Sequence, residues 1–365
     1  MEKMRKERNK EDEARPLFGL QSMEGLLLSW YDRCRRILPW REDPQPYHVW
    51  LSEIMLQQTR VEAVKEYYSR FLRELPTIRD LAAAPEDKLL KLWEGLGYYN
   101  RVRNLQKAAL ACVEQYDGQL PGDFEELKRL PGVGEYTAGA IGSIAFGLPV
   151  TAVDGNVLRV MTRLTADSSD VTSPETKKRI TALVQDLQPE DRPGDFNQAM
   201  MDLGATVCLP NGVPKCGSCP LSALCESRRL GSMTEFPVKP PKKPRRIEEK
   251  TVCLIEWEDT VAIRKRSSKG LLASLYEYVH LDGKKSAAEA AKELGIAEAD
   301  IKEIEDLPDA VHIFSHVEWH MCGRRIRLKR ASGYQDKTVL MVRRAELQDR
   351  YPIPNAFRVY TNILI

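Results

Sequence analysis

The stretch LPGVGEYTAGAIGSIAFGLPVTAVDGNVLRV, residues 130–160, decides how this chain folds. One helix is predicted to stop at Pro131, and a second begins near Tyr136 after the loop GVG. Gly132 and Gly134, on either side of one apolar residue, allow the backbone to turn sharply and to approach a partner closely. The free N–H groups at the start of the second helix, together with its dipole, form an anion site. A helix–hairpin–helix of this kind typically holds a phosphate of the DNA backbone and reads no base.

Further along the same stretch, VDGNV places Asp154 at the predicted N-cap of another helix, beside a glycine. Taken singly, the hairpin is a tight turn between two helices and the aspartate is an ordinary capping residue. The combination of LPGVGxxTAG with VDGNVxR is more specific. It resembles the helix–hairpin–helix DNA glycosylases of the endonuclease III superfamily, and the resemblance implies that Asp154 is catalytic.

Length and composition predict two domains and a local DNA-binding charge. The 365 residues are enough for two hydrophobic cores, and the net charge of +2 provides no global basic field. No apolar run approaches the length of a membrane span. The start, MEKMRKERNKEDEARP, lacks the hydrophobic segment of a secretory signal. We predict a charged flexible tail over residues 1–21.

Helical periodicity predicts an all-α domain over residues 22–228. Residues 22–37 are expected to form a helix, and LSEIMLQQTRVEAVKEYYSRFLREL a long amphipathic helix or a pair of helices. The buried side of the first helix is predicted to carry Leu26, Leu27, Trp30 and Ile37. Further helices are expected at 86–94, 101–115, 124–130, 156–164, 174–187 and 195–206.

A change of composition marks the second domain. FPVKPPKKPRR contains four prolines and five basic residues without an acid, which excludes a helix or a central strand. We predict a stiff cationic linker over 229–249. Beyond it, TVCLIEW and TVAIRKR predict a β-hairpin, SAAEAAKELG a short helix ended by Gly295, and VHIFSHVEWHMC and IRLKR two strands. Residues 250–365 are therefore predicted to form a separate α+β domain.

Four of the eight cysteines are clustered with the spacing C-x7-C-x2-C-x5-C. They are Cys208, Cys216, Cys219 and Cys225. Four thiols in so short a segment favour a metal site in a reducing compartment over a disulfide framework. Structural zinc and a [4Fe–4S] cluster both accept four thiolates. The spacing resembles the iron–sulfur loop of the endonuclease III superfamily, whose first gap usually holds six residues where LPNGVPK supplies seven here. We therefore predict a [4Fe–4S] cluster with a structural role, holding the loop and Lys215 toward DNA.

Glu53 lies early in the helix LSEIMLQQTR, among apolar neighbours. Taken alone, an acid in a first turn is explained by the helix dipole. SEIMLQQTRV, however, resembles a signature of the MutY-type adenine DNA glycosylases, whose glutamate at this position acts as a general acid. An apolar environment disfavours the charged form, so such a glutamate keeps its proton near neutral pH. Asp154, at a helix N-terminus, is expected to stay ionised. Two carboxyl groups with separated pKa values suit cleavage of a glycosidic bond through an oxocarbenium-like state.

The residue two positions after the hairpin GVG separates two branches of the superfamily. In the endonuclease III branch it is a lysine that forms a Schiff base and cuts the strand. Here it is Tyr136, which cannot form an imine. The chain therefore resembles the monofunctional adenine branch more closely, although an aromatic side chain packing at a helix start explains the residue equally well on its own.

WEGLGYYNRVRNL, residues 93–105, resembles another motif of the family. Leu96 and Tyr98, with Gln58 and Thr59, match positions that contact the bases around the flipped nucleotide, where a wedge offsets lost stacking. Arg101 and Arg103 are candidates to hold phosphates. Without the resemblance, GLGYY is a turn bounded by glycines with aromatic residues of the core.

The second domain resembles a degenerate Nudix domain. The nearest alignment of the Nudix signature GX5EX7REUXEEXGU ends at Gly295-Ile296 and departs from it at four positions, Ser274, His280, Ala288 and Lys292. The two acids that remain, Glu289 and Glu293, are too few to hold catalytic Mg²⁺ well. MutY-type enzymes carry such a domain for recognition, and their Phe-Ser-His loop corresponds to Phe314, Ser315 and His316. A strand with a chance FSH is the alternative.

The resemblance covers roughly residues 22–364 and implies a monofunctional adenine DNA glycosylase of base excision repair. It implies hydrolysis of the N-glycosidic bond of adenine opposite 8-oxoguanine or guanine in double-stranded DNA, by a cytoplasmic, nucleoid-associated monomer. It also implies a six-helix barrel over about 41–145 and an iron–sulfur subdomain built from 22–40 and 146–228. Glu53 would protonate the adenine and Asp154 would stabilise the sugar cation, with Asn156 and Tyr136 orienting these groups and the water.

Three alternatives remain. An endonuclease III-like glycosylase and lyase acting on oxidised pyrimidines is opposed by Tyr136. A non-catalytic iron–sulfur DNA-binding protein is opposed by the presence of both Glu53 and Asp154. A Nudix pyrophosphatase is opposed by the broken signature.

Overall fold

A computed structural model describes residues 20–241 and 244–365, so most of the predicted tail over 1–21 lies outside the described residues. Contacts divide the chain into two units. The first comprises Met1–Ala83 and Asn104–Pro241, and the second comprises Ala84–Arg103 and Lys242–Ile365. The domain boundaries expected from composition place 84–103 with the helical half instead, and they remain a prediction. Within the described ranges, no helix is long and apolar enough to cross a membrane.

The N-terminal half is helical throughout its described part, as predicted from periodicity. Its helices are α1 (Met23–Cys34), α2 (Pro39–Glu42), α3 (Pro46–Leu56), α4 (Val61–Glu74), α5 (Ile78–Ala83), α6 (Glu86–Leu92), α7 (Asn100–Gln115), α8 (Phe124–Arg129), α9 (Glu135–Phe146), α10 (Gly155–Thr165), α11 (Pro174–Leu187), α12 (Pro193–Thr206) and α13 (Glu226–Arg229). The long segment after residue 50 is a pair of helices, α3 and α4, and α5 was not predicted.

The predicted buried side of the first helix is wrong at two positions. Leu26 is 43% exposed and Ile37 is 83% exposed, whereas Leu27 is fully buried. Helix α1 ends at Cys34, since Arg35 leaves the helical conformation with ψ of 140°, and Leu38 is extended before Pro39 begins the next helix. Ile37 therefore lies in the connecting loop. The stripe that packs on the core consists of Met23, Leu27, Leu28, Trp30 and Tyr31.

The predicted linker over 229–249 overlaps structured residues at both ends. At its start, Phe236 is buried, and its carbonyl oxygen accepts a hydrogen bond of 3.0 Å from Arg163 Nε. At its end, strand β1 begins at Arg246 and pairs in parallel with a strand that starts at Val317. The prolines stop at Pro244, so they do not interrupt the ladder. Only the segment between these ends has the composition expected of a spacer.

The second unit contains a six-stranded mixed sheet, which fits the predicted α+β class. Its strands are β1 (Arg246–Trp257), β2 (Thr260–Lys265), β3 (Tyr276–Asp282), β4 (Ile301–Ile313), β5 (Val317–Leu328) and β6 (Val339–Arg343), and its further helices are α14 (Ala287–Glu293), α15 (Arg344–Arg350) and α16 (Arg358–Leu364). The strand order is β4-β5-β1-β3-β2-β6. The predicted hairpin of β1 and β2 is confirmed, and so is the helix ended by Gly295, which has φ of +71°.

Alternating residues of β1 face two separate cores. Val252 and Leu254 pack with Phe357 and Tyr360 near α16 on one face. Cys253 packs with Ala290 of α14 and its neighbours on the other. This period of two is the pattern expected of a sheet buried on both sides. In the first unit, one core joins α1, α10, α11 and α12.

Candidate active site and cysteine loop

The predicted helix–hairpin–helix is confirmed by α8 and α9. Gly132 has φ of +78°, and a Cβ at this position would lie 2.7 Å from Asn104 Cβ, so only glycine fits. Val133 is buried, and its N–H donates to the carbonyl oxygen of Leu130. A Cβ on Gly134, the N-cap of α9, would meet only open space. The first amides of α9 therefore point to a side that a ligand can approach.

The segment that leads to Asp154 is held by two buried residues. A Cβ at Gly139 of α9 would lie 1.9 Å from the Thr151 carbonyl oxygen, so the helix and the segment are in backbone contact. Asn197 of α12 accepts a hydrogen bond of 3.1 Å from the Ala152 N–H and donates one of 2.9 Å to the Val150 carbonyl oxygen. Asn197 was not among the predicted site residues. A polar residue on a helix does not indicate by itself that its side chain bonds to a loop distant in sequence.

Asp154 is the N-cap of α10, as predicted. Its Oδ1 accepts hydrogen bonds of 2.8 Å from the N–H groups of Asn156 and Val157, and its Oδ2 accepts one of 2.6 Å from Asn156 Nδ2. Burial nevertheless raises the pKa of Asp154, and these hydrogen bonds only oppose the rise. Because the cap donors and the charge of Arg159 favour the carboxylate, the expectation that Asp154 stays ionised remains a prediction.

Glu53 lies in α3 and is 6% exposed. Burial raises its pKa to about 7; the Tyr136 hydroxyl, by its hydrogen bond, opposes the rise, and the charge of Asp154 adds to it. Tyr136 Oη donates a hydrogen bond of 2.5 Å to Glu53 Oε2 and lies 3.6 Å from Met201 Sδ. Burial also raises the pKa of Tyr136, so this residue remains a phenol. The burial expected for Glu53 is present, and the raised pKa agrees with the expected tendency to keep its proton near neutral pH.

Both carboxyl groups line one cavity of about 1010 Å³ in the first unit, here called the active-site cavity. Gln58, Thr59, Tyr136 and Asn156 also line it, so the fold brings all four predicted catalytic residues into one cavity. Other side chains of the lining were not predicted from the sequence; they include Arg36, Trp40, Arg41, Gln198 and Met201. The run RRILPWR was a signal, since it places three arginines and a tryptophan shortly ahead of Glu53.

The arginines of that run are fixed by one buried carboxylate. Asp202 is fully buried in α12 and lies within 2.6 Å of Arg36 Nη2 and 2.8 Å of Arg41 Nη1. Burial raises the pKa of Asp202, but the two guanidinium groups outweigh it and leave the pKa below its usual value. A charge that is paired this well remains ionised.

Arg159 of α10 connects the acid site with the cysteine loop. Its Nη2 donates hydrogen bonds of 2.8 Å to Asn156 Oδ1 and to the Gly204 carbonyl oxygen, and its Nε donates one of 2.9 Å to the Cys208 carbonyl oxygen. A Cβ at Gly204 would lie 2.6 Å from Asn156 Cβ, which explains the glycine. Arg159 therefore links the Asn156 side chain, which bonds to Asp154, to the backbone of Cys208, the first of the clustered cysteines.

All four clustered cysteines line a second, small and mainly apolar cavity between α10 and the loop. Their thiols are close enough to affect one another: burial raises the pKa of Cys219, and the charges of Cys208, Cys225 and Cys216 raise it further. The seven-residue gap closes on itself, since Lys215 N–H donates to the Val207 carbonyl oxygen. Within residues 20–241 and 244–365, no three His, Cys, Asp or Glu side chains are arranged to hold a single metal ion. Four converging thiols nevertheless suit a cluster whose ligands bind different irons.

In the second unit, the predicted base-contacting segment forms a turn before α7. Tyr98 has φ of +48° and is 49% exposed, whereas Leu96 is buried. Arg101 Nη2 donates to the carbonyl oxygens of Leu96 (3.0 Å) and Gly97 (3.1 Å), and its guanidinium group lies over the Trp93 ring. Arg101 therefore supports the turn, and its contact with a phosphate remains a prediction.

Phe314, Ser315 and His316 form the turn between β4 and β5, as expected for a loop. The Phe314 ring packs against Trp319 and His312, at centroid distances of 4.9 and 4.5 Å. Ser315 and His316 are exposed. Ser315 Oγ forms a hydrogen bond of 2.9 Å with Tyr98 Oη. Two residues singled out from separate motifs are thus in direct contact.

The two acids left from the Nudix signature serve the fold. Glu289 completes a capping box with Ser286 at the start of α14. Glu293 pairs with Lys285 at 2.9 Å. Neither carboxylate is available for Mg²⁺ without breaking these contacts, which opposes the Nudix hydrolase alternative.

Comparison with known proteins defines the class first. Residues 51–186 match the family of HhH-GPD superfamily base excision DNA repair proteins, and residues 251–362 match the NUDIX domain. The solved structure of a thermostable thymine-DNA glycosylase is similar to this chain, with a TM-score of 0.53 and 29% sequence identity. The alignment covers 58% of this chain and 98% of the glycosylase chain. The chain is therefore a helix–hairpin–helix DNA N-glycosylase with a Nudix-like domain after it.

Sequence relatives give the particular family. The adenine DNA glycosylase of Rattus norvegicus is 37% identical over 350 residues, which cover 80% of this chain and 68% of the rat protein. That of Buchnera aphidicola (Acyrthosiphon pisum) is 33% identical over 310 residues, 85% of this chain and 87% of the bacterial protein. The chain belongs to the adenine DNA glycosylase family.

Proposed function

We propose that this enzyme hydrolyses the N-glycosidic bond of adenine mispaired with 8-oxoguanine or with guanine, without cutting the strand itself. The single observation that carries the proposal is the pairing, in one cavity, of Glu53, whose pKa is raised to about 7, with Asp154 at a helix N-terminus. One carboxyl group holds a proton near neutral pH, and the other is surrounded by donors that favour its charge.

Glu53 acts as the general acid. The Tyr136 hydroxyl occupies Oε2 as a donor, so the proton of the carboxyl group is carried on Oε1, free to pass to N7 of a bound adenine. Protonation of the base makes it a neutral leaving group when the C–N bond breaks. The cavity volume of about 1010 Å³ lies at the upper end of the roughly 300–1,000 Å³ of ordinary ligand pockets, which suits a flipped nucleotide.

Asp154 stabilises the positive charge that develops on the sugar. Two backbone N–H groups and the Asn156 amide fix both of its oxygens, so no reorganisation is needed when the charge appears. Asn156 and Tyr136 then orient the carboxyl groups and the water that completes the hydrolysis. The assignment of Asp154 to the sugar cation holds both for a purely electrostatic role and for a transient bond to the sugar carbon.

The same site favours a monofunctional enzyme. A glycosylase that also cuts the strand needs an amine to form the imine, and Tyr136 supplies a phenol that is already bonded to Glu53. Borohydride is therefore expected to trap no adduct through this residue.

Recognition of the flipped adenine is assigned to side chains that line the active-site cavity. Gln198 lines the cavity and carries a donor and an acceptor, the combination that pairs with N1 and N6 on the Watson–Crick edge of adenine. The hairpin glycines Gly132 and Gly134 are assigned to a phosphate contact through the amides of α9. Gln58, Thr59, Leu96 and Arg101 are assigned to the DNA around the flipped nucleotide.

Lesion recognition is assigned to Ser315 and His316, with Phe314 as the anchor of their turn. 8-Oxoguanine differs from guanine by a carbonyl at C8 and an N–H at N7, and hydroxyl and imidazole groups match a new acceptor and a new donor. Tyr98, bonded to Ser315, is an exposed aromatic ring that can stack on a base.

Cys208, Cys216, Cys219 and Cys225 are proposed to hold a [4Fe–4S] cluster. In this assignment the cluster supplies no chemistry to the reaction and fixes the loop against α10. Iron analysis of anaerobically purified protein is expected to give about four irons per chain. Stoichiometric zinc without iron would overturn the assignment.

The proposed function is tested with duplexes containing A opposite 8-oxoguanine, A opposite G, and thymine glycol, each analysed with and without alkali. We expect alkali-labile sites at adenine, fastest opposite 8-oxoguanine, and none at thymine glycol. Strand cleavage at thymine glycol without alkali would establish the bifunctional alternative instead.

A further inference from the structure

Another cavity of the first unit lies at the C-terminal end of α9, where Ser143 and Gly147 line it, whereas the active-site cavity reaches Tyr136 at the start of that helix. This rear cavity has a volume of about 560 Å³. Side chains that line it alone include Tyr31, Arg35, Ile37, Pro44 and Asp191. Five residues line both cavities and therefore form the wall between them: Arg36, Leu38, Arg41, Ile144 and Gln198.

The wall has a fixed half and a movable half. Arg36 and Arg41 are held by the buried carboxylate of Asp202, so they stay in place. Ile144 and Gln198 are uncharged and half-buried, and rotating their side chains breaks no ion pair. Small rotations of these two side chains would join the two cavities.

The rear cavity opens to solvent. Ile37 is 83% exposed, and Arg35 and Pro44 are also exposed although they line the cavity. Its volume is within the range of roughly 300–1,000 Å³ that is usual for small-molecule sites. Adenine, a flat and neutral base, fits such a space, whereas a nucleotide attached to a DNA strand cannot pass through.

A glycosylase that leaves the strand intact has a specific need for this second opening. The flipped nucleotide enters from the DNA side, and after the bond breaks the abasic strand still covers that entrance. A base released behind the sugar is enclosed until either the DNA leaves or another route opens. Product release of this kind often limits turnover.

We propose that the rear cavity is the exit for the free purine base, which leaves past Ile144 and Gln198 while the abasic DNA remains bound. This inference rests on the proposed function. In this proposal, the exposed apolar side chain of Ile37 lies at the mouth of the exit.

The test follows the base and the DNA separately. Enzyme in excess is mixed with a duplex that carries radiolabelled adenine opposite 8-oxoguanine, and alkali-labile sites report bond cleavage in quenched samples. Rapid filtration through a membrane that retains protein and DNA reports free adenine, and filter binding reports DNA still bound. We expect free adenine to appear soon after cleavage, while the abasic duplex stays bound.

Variants at the mouth test the route itself. Ile37→Trp, and Ile37→Trp combined with Pro44→Trp, are expected to slow adenine release about fivefold or more, with cleavage and DNA retention unchanged. Leu26→Trp is the control, because Leu26 is also exposed but lines neither cavity. Adenine that appears only as the DNA dissociates, or equal release by the mouth variants and the control, would refute the exit. Absence of alkali-labile sites at adenine would instead refute the proposed function, and the exit with it.

Discussion

Tyr136 donates a hydrogen bond of 2.5 Å to Glu53, so the residue that excludes imine chemistry also controls the proton of the proposed general acid. Burial raises the pKa of Glu53 to about 7, and the Tyr136 hydroxyl keeps it from rising further. In the proposed mechanism, one phenol thus excludes imine formation and limits how far burial raises the pKa of the acid.

Tyr136→Phe is expected to move the alkaline limb of the pH–rate profile upward. The general acid must be protonated, so excision by the parent should fall as pH rises through about 7. Loss of the hydroxyl removes a contact that favours the carboxylate, and the limb should shift by roughly half a unit or more to higher pH. Single-turnover rates between pH 5 and 9 measure the shift. A limb that stays in place or moves to lower pH would show that Tyr136 does not act on this proton.

Glu53→Gln is expected to stabilise the fold at alkaline pH while it abolishes excision. The folded pKa of about 7 lies above the ordinary 4.5, so the folded state binds this proton more tightly than the unfolded state. The associated stability is complete below about pH 4.5 and is lost as pH rises through about 7. The variant should exceed the parent by roughly 1–3 kcal/mol at pH 8, with the difference shrinking to less than about 1 kcal/mol at pH 5. Urea unfolding at both pH values measures this. A pH-independent difference would mean that Glu53 is not buried as a protonated acid.

How much of this site could be predicted from sequence depends on whether its contacts are local. The cap at Asp154 and the hairpin at Gly132 depend on residues a few positions apart, so their patterns predicted them correctly. The segment VHIFSHVEWHMC was predicted as a strand, but the chain turns at residues 314–316. The apolar environment of Glu53 was also local, because its own helix provides it.

Contacts between distant segments could not be predicted. Asn197 holds the backbone beside Ala152, and Arg159 bonds to Cys208, yet no spacing in the sequence links these pairs. The raised pKa of Asp154 has the same origin, since other helices bury the carboxylate. Ile37 was misplaced because an apolar residue fits helical spacing even after the helix has ended.

Arg159→Met is expected to weaken both the fold and the acid site. It removes the donors to Asn156, Gly204 and Cys208, and should lower the free energy of unfolding by roughly 2–4 kcal/mol. Excision by the folded fraction should also slow, because the Asn156 amide loses the contact that holds it against Asp154. Lys178→Met, an exposed change on α11, is the matched control. Full excision with reduced stability would restrict Arg159 to a structural role.

Ser315→Ala combined with His316→Ala is expected to lower the preference for 8-oxoguanine over guanine by about tenfold, equivalent to one or two hydrogen bonds. Excision opposite guanine should change much less. Ser332→Ala, at another exposed serine of the same unit, serves as the control. Equal losses opposite both bases would mean that the turn supports folding or general DNA binding.

The central claim is that Asp154 supplies the charge for the chemical step, and Asp154→Asn tests it most directly. The amide keeps the shape and the cap of α10 but removes the charge that an oxocarbenium-like state requires. The measurement is single-turnover excision of adenine opposite 8-oxoguanine, beside the Kd for the same duplex. We predict an unchanged Kd and almost no base release. Excision within about threefold of the parent, or roughly 0.6 kcal/mol of barrier, would contradict the account.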